Sequence, residues 1–281
     1  MFQVRSVLFP VDFSDACRAA SEQIAATAAH FGAKLVLLHV VQTPAWYGDA
    51  VAFNAVVDVE EIAEERRAAL ENVLKDRDDV VIQRTIGYGE PGQAIVECAR
   101  RQHFDLIMMP THGCGPFRRF LIGSITAKVL HDVEVPVWTD AHLPRAEPDE
   151  SLNCVICAVD LTPEIVTTME WASQYSQSFG LELRLVHAVP WYSDGRSESA
   201  SLRHVIDDAR DTIADLEHQA GVEAPLVIKP GGVADVLHEA ALRYRARTIV
   251  IGQGALHRVM GRLRTNAYAI VREAPCPVVR C

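Results

Sequence analysis

Residues 5–14, RSVLFPVDFS, return as residues 153–162, NCVICAVDLT, and this repetition decides the fold. The next apolar run, KLVLLHVV at 34–41, returns as ELRLVHAV at 182–189. Asp12 therefore answers Asp160, and His39 answers His187, each 148 residues further on. The copies also end alike: HDVEVPVWT (131–139) is matched by REAPCPVVR (272–280), with Pro136 and Pro277 141 residues apart. The difference between the two offsets places a net seven-residue deletion in the middle of the second copy. Two domains are expected, 1–141 and 152–281. The linker is HLPRAEPDES, 142–151, polar, proline-containing and without periodicity.

Within the first copy, strands alternate with helices. Apolar runs predict strands at 6–11, 34–41, 80–86, 105–109 and 135–138. Ser14 predicts the cap of a helix whose apolar face carries Ala20, Ile24, Ala28 and Phe31 and which Gly32 ends. Further helices are expected at 58–76, 93–102 and 124–132. Five strands and four helices in strict alternation imply right-handed crossovers. The fold class is α/β, two tandem doubly wound sheets of five parallel strands.

Composition narrows the function. With 281 residues, 49% of them hydrophobic, the chain can pack two cores. A net charge of -10 and a pI near 5.5 argue against a general affinity for nucleic acid or anionic membrane. No apolar run reaches the roughly 18 residues of a membrane span, and the N-terminus meets Asp12 too early for a signal peptide, so a cytoplasmic protein is expected. Seven cysteines with scattered spacing fit reduced thiols. Cys154 and Cys157 form a CxxC inside a strand-like run, where residues three apart point to opposite faces; buried thiols are expected.

The chemistry concentrates in residues 106–124, LIMMPTHGCGPFRRFLIGS. A continuously apolar strand runs into a glycine-containing loop and then a helix opened by Gly123 and Ser124. Such a loop leaves the carboxyl end of a parallel sheet, where ligands of these folds bind, and the unpaired N–H groups of the following helix attract phosphate. Residues 87–92, GYGEPG, also spell a dinucleotide fingerprint, but the next strand ends in Pro110, Thr111 and His112 instead of a ribose-binding acid. A glycine-rich turn is the expected reading. No P-loop lysine, GxSxG elbow or paired-histidine motif is present. His112 is the most reactive-looking group of the loop; without a committed base, any hydrolysis is expected to be slow.

These residues resemble the universal stress proteins, whose domain is a five-stranded nucleotide-binding fold of the adenine nucleotide alpha hydrolase-like type. Its ATP-binding members carry Gly, two residues, Gly, nine residues, Gly, then Ser or Thr, with an Asp ending the first strand. Asp12 fits that aspartate, Gly113 the second glycine, and Gly123 and Ser124 the closing pair. Pro110 stands in the first glycine's place and removes one backbone donor. The resemblance implies that ATP, with Mg2+, binds in the N-terminal half. Asp12 would face base or ribose, Val40 or Val41 the adenine, and Gly113, Gly123, Ser124 and Thr126 the ribose and phosphates. Arg118 and Arg119 lie between the glycines, where they either reach a phosphate or form a solvated face. In the second copy Arg264 stands where Gly123 does, so a degenerate site is expected, with an anion site built from Arg258, Arg262, Arg264 and Arg272 as the alternative. The halves would pack in a pseudo-twofold arrangement. The implied protein is a nucleotide-dependent stress regulator or sensor with a protein partner or a second copy of the chain. A scaffold that binds no nucleotide is the alternative.

Overall fold

The computed structural model describes residues 2–42, 59–111, 122–141, 152–190, 198–253 and 264–281. The first half runs β1 (Ser6–Pro10), α1 (Asp15–Phe31), β2 (Lys34–Val41), α2 (Val59–Glu71), β3 (Ile82–Tyr88), α3 (Pro91–Gln102), β4 (Leu106–Pro110), α4 (Ser124–Asp132) and β5 (Val137–Asp140). The second half repeats this order as β6 (Cys154–Ala158), α5 (Ile165–Ser178), β7 (Glu182–Val189), α6 (Glu198–Ala220), β8 (Leu226–Pro230), α7 (Val233–Arg243), β9 (Ala246–Ile251), α8 (Arg264–Glu273) and β10 (Val278–Arg280).

Strand order is β3-β2-β1-β4-β5 in the first half and, equivalently, β8-β7-β6-β9-β10 in the second. β1 pairs in parallel with both β2 and β4, and β6 with both β7 and β9. The expected parallel α/β repeats are therefore present. The chain divides into two compact units, Gln3–Val137 and Trp138–Cys281, the second also taking in Phe2. In that second unit the Thr139 hydroxyl donates to the Val278 carbonyl at 3.3 Å, and Phe2 meets Trp171 edge-on at 5.7 Å. The expected linker, 142–151, lies outside the described residues.

Helix and strand ends follow their local chemistry. The Ser14 hydroxyl accepts from the Cys17 N–H at 3.1 Å, and Gly32 closes α1 in the left-handed conformation at φ 62. Replacing Ser14 by alanine is expected to lower stability by about 1 kcal/mol, readable as a shift of the urea midpoint at unchanged slope. Four elements differ from expectation by two residues or more, among them α3, which opens at Pro91 instead of residue 93. α2 stops at Glu71, short of Asp76, and the chain turns through Leu74 at φ 53. β3 lies two residues later than expected because it pairs with β2 from Leu35↔Ile82 through Val41↔Tyr88. β5 starts after Pro136, which has no N–H for a ladder; its carbonyl accepts from Ile107 at 2.9 Å.

The sheet of the first unit is buried on both faces. Leu8, Val36, Leu38, Ile107 and Met109 pack with Ile95, Val96, Ala99, Val129 and Leu130 of α3 and α4. The alternate residues Val7, Phe9, Leu35, Leu37 and Leu106 are equally buried on the opposite side of the pleat. Order reverses between β1 and β4, and at such a switch point the connections leave to opposite faces and open a crevice at the strands' carboxyl ends.

Candidate functional site

A cavity of about 530 Å³ occupies that crevice in the first unit. This size lies within the range of about 300–1,000 Å³ common for small-molecule sites. Its walls come from the ends of β1, β2 and β4, the start of α4, α2 and the start of α3.

The β1 wall is built by one turn. Val11 extends β1 by donating to the Leu38 carbonyl at 2.8 Å, and the exposed Asp12 then accepts the Ser14 N–H at 2.9 Å. That bond closes a turn over Phe13, held at φ 60, where a side chain is normally disfavoured. The Phe13 ring packs on His39 with centroids 4.6 Å apart. The His39 Nδ1 lies 2.7 Å from the Val11 carbonyl; since a carbonyl only accepts, Nδ1 carries the proton and Nε2 remains an acceptor.

The second half builds the same turn. Asp160 accepts from the Thr162 N–H at 3.1 Å and its hydroxyl at 2.8 Å, Leu161 sits at φ 60, and His187 Nδ1 lies 2.7 Å from the Val159 carbonyl. The aspartates and histidines thus share a structural task in both copies.

Burial holds the His39 imidazole below its ordinary 6.5; the Val11 carbonyl opposes this, the Arg66 charge adds to it, and Asp12 opposes it. The unfolded chain consequently binds a proton that the folded chain resists. Stability from this group is complete above about pH 6.5 and is lost as pH falls through the lower folded value. Urea unfolding of His39→Gln is expected to fall less between about pH 7.5 and about pH 5.5 than that of the native chain.

The β4 wall carries the anion chemistry. Pro110 is the last residue of β4, and its carbonyl accepts the hydroxyl of buried Thr126 at 3.2 Å. The Gly123 N–H donates to the Thr111 carbonyl at 2.8 Å. These two bonds clip the start of α4 to the end of β4. No side chain caps α4, and its first turn carries no acidic residue. The N–H groups of Ser124, Ile125 and Thr126 stand at the positive end of the helix dipole beside the cavity.

Asp12, Val40, Val41, Pro110, Gly123, Ser124 and Thr126 all line this one cavity. His112, Gly113, Arg118 and Arg119 lie outside the described residues. The structure adds Phe13, Gln42, Ile62, Arg66, Pro91 and Ile95. For Arg66 the sequence held a signal, a charged residue amid the apolar spacing of α2; Phe13 gave none, because its role depends on the turn.

The other sequence features resolve into structure. Glu90 of GYGEPG caps α3, accepting from Gly92 at 3.0 Å and Gln93 at 2.7 Å, with Gly89 at φ 111. A carboxylate thus fills the helix end where a dinucleotide's pyrophosphate would lie. Cys154 and Cys157 are buried in β6, and burial pushes their thiols up to about 11 and about 12. In the second half Gly252 follows the last residue of β9, at the place of Pro110, and a Cβ there would stand 3.1 Å from the Thr168 hydroxyl. Arg272 pairs with Glu273, whereas Arg258 and Arg262 lie outside the described residues, and of Arg264 only the backbone, opening α8, is described. Among the described residues no helix is long and apolar enough to cross a membrane.

Comparison with known proteins meets this geometry from another side. The sequence model of the universal stress protein family matches residues 3–139 and again 153–281. Universal stress protein MJ0577 of Methanocaldococcus jannaschii is 27% identical over 149 residues, 47% of this chain and 92% of that protein. A Thermus aquaticus universal stress protein, from the QAH/OAS sulfhydrylase 3′ region, is 31% identical over 137 residues, 47% of this chain and 96% of that protein. The crystal structure of a universal stress protein from Archaeoglobus fulgidus DSM 4304 superposes with a TM-score of 0.68 at 22% identity, covering 99% of this chain and 96% of that one. Matched in each half by the family's model and carrying the same strand order twice, the chain belongs to the universal stress protein family.

Proposed function

We propose that this protein is a nucleotide-dependent regulator of stress physiology that binds ATP in the cavity of its first unit. The observation that carries the reading is the meeting of Asp12, Val40, Val41, Gly123 and Ser124 around one cavity, beside a helix start that no side chain caps. The phosphates lie against the α4 N–H groups, the adenine against the end of β2, and the ribose or base near Asp12. Asp12 is exposed on the cavity wall, and one such carboxylate together with phosphate oxygens suits Mg2+. Occupancy alters a surface seen by a protein partner or another copy of the chain. Any ATP hydrolysis is slow, because positioning groups are present without a committed base.

Equilibrium dialysis of labelled Mg-ATP against the intact chain tests this. One equivalent bound, displaced by unlabelled ATP, is expected, and none at millimolar ATP would overturn it. Pro110 favours a second reading, a scaffold without nucleotide, because it removes a donor where the ATP-binding pattern has glycine.

A further inference from the structure

Arg66 is the charged side chain of the cavity that the family pattern leaves without a role. Three and four residues before and after it on α2 stand Ile62, Ala63, Ala69 and Leu70, so no helical neighbour can neutralise it. Ala63 and Leu70 are fully buried, and Ile62 shares the cavity wall with Arg66. The arginine therefore lies on the apolar stripe of α2, half-buried. The next residue shows what an ordinary arginine of this helix does: Arg67 pairs with Glu64 one turn earlier. Among the described residues Arg66 makes no ion pair or hydrogen bond, and its guanidinium lies over the Phe13 ring, 6.0 Å from the centroid. Withdrawing an unpaired guanidinium from water is unfavourable, and an arriving anion offsets that cost.

We propose that Arg66 is an anion-binding residue of the cavity, a second positive pole beside the start of α4, which restricts the ligand to phosphorylated nucleosides. The charge acts within the site, since the His39 imidazole senses both Arg66 and Asp12. A guanidinium standing over an aromatic ring keeps its in-plane N–H groups available to a phosphate. The inference rests on the nucleotide reading and sharpens it to the phosphorylated forms.

Calorimetric titration of the intact chain and of Arg66→Met with Mg-ATP, AMP, adenosine and inorganic tripolyphosphate, at low and high salt, tests it. ATP and AMP are expected to weaken about tenfold in Arg66→Met, adenosine to bind unchanged, and the salt dependence for ATP to become shallower. Arg66→Lys retains part of the affinity. Equal weakening of adenosine would make Arg66 part of the base wall and overturn the proposal, as would unchanged binding of every probe. The unliganded Arg66→Met chain should melt at or above the native temperature; a lower value with native affinity would assign Arg66 to the fold. If no nucleotide or nucleoside binds the native chain but tripolyphosphate does, in an Arg66-dependent way, the nucleotide reading fails and the anion assignment stands. If tripolyphosphate also fails to bind, both fall.

Discussion

Gly123→Arg is expected to remove ATP binding from the intact chain, a loss of at least about a hundredfold, while the fold survives. The backbone at Gly123, φ -60 and ψ 145, is open to any residue, so the substitution adds no strain of that kind. Space is the constraint. A Cβ at Gly123 would stand 3.3 Å from the Thr111 carbonyl, tighter than ordinary contact. The remainder of the side chain would project from the cap position over the N–H groups of Ser124 to Thr126, which the proposed phosphates need. Displacing two charge-assisted hydrogen bonds, at about 1.5–3 kcal/mol each, accounts for the loss. Gly123→Ala adds the Cβ alone and should weaken binding only several-fold. An unchanged melting temperature in both variants would separate a blocked site from a damaged fold. The second copy already carries arginine at this place, so the variant rewrites the first copy as the second.

Pro110→Gly should act in the opposite direction, tightening ATP by about tenfold to a hundredfold, the equivalent of one restored hydrogen bond to a charged phosphate. Pro110 lines the cavity at the end of β4, and its carbonyl is already engaged by the Thr126 hydroxyl. The missing donor is therefore the feature that distinguishes it from glycine at this spot. The second copy places Gly252 at the equivalent position, directly after β9, so the backbone path tolerates the residue. A stability loss of about 0.4–1 kcal/mol should accompany the change, because glycine enlarges the unfolded ensemble. Native-like affinity in Pro110→Gly would mean that the phosphates do not approach this backbone. No binding by either protein would leave the scaffold reading.

How much of this was legible in the sequence depended on how local the cause was. β1, β2 and β4 were visible because strands buried on both faces are continuously apolar, and α1 because Ser14 and Gly32 mark its ends chemically. β3 and β5 were displaced by two residues each. The ends of β3 are set by pairing with β2, and those of β5 by the proline before it, neither of which apolar periodicity reports.

At the site, motif spacing found the β1 and β4 walls, and the repeat found the matching aspartates and histidines. Pro91 was missed because it reaches the cavity from a separate element that only the folded topology brings there, and Arg66 was missed although its place amid the apolar spacing of α2 marked it. Thr126 lines the cavity, but its hydroxyl is donated to Pro110, so it holds the helix start in place before it meets any ligand.

The most direct test is a calorimetric titration of Mg-ATP into the intact chain, run beside Gly123→Arg. One site is expected in the native protein and none in the variant. Two sites would show that the arginine-bearing second copy also binds, and no heat at millimolar ATP would rule out a nucleotide site in the first unit.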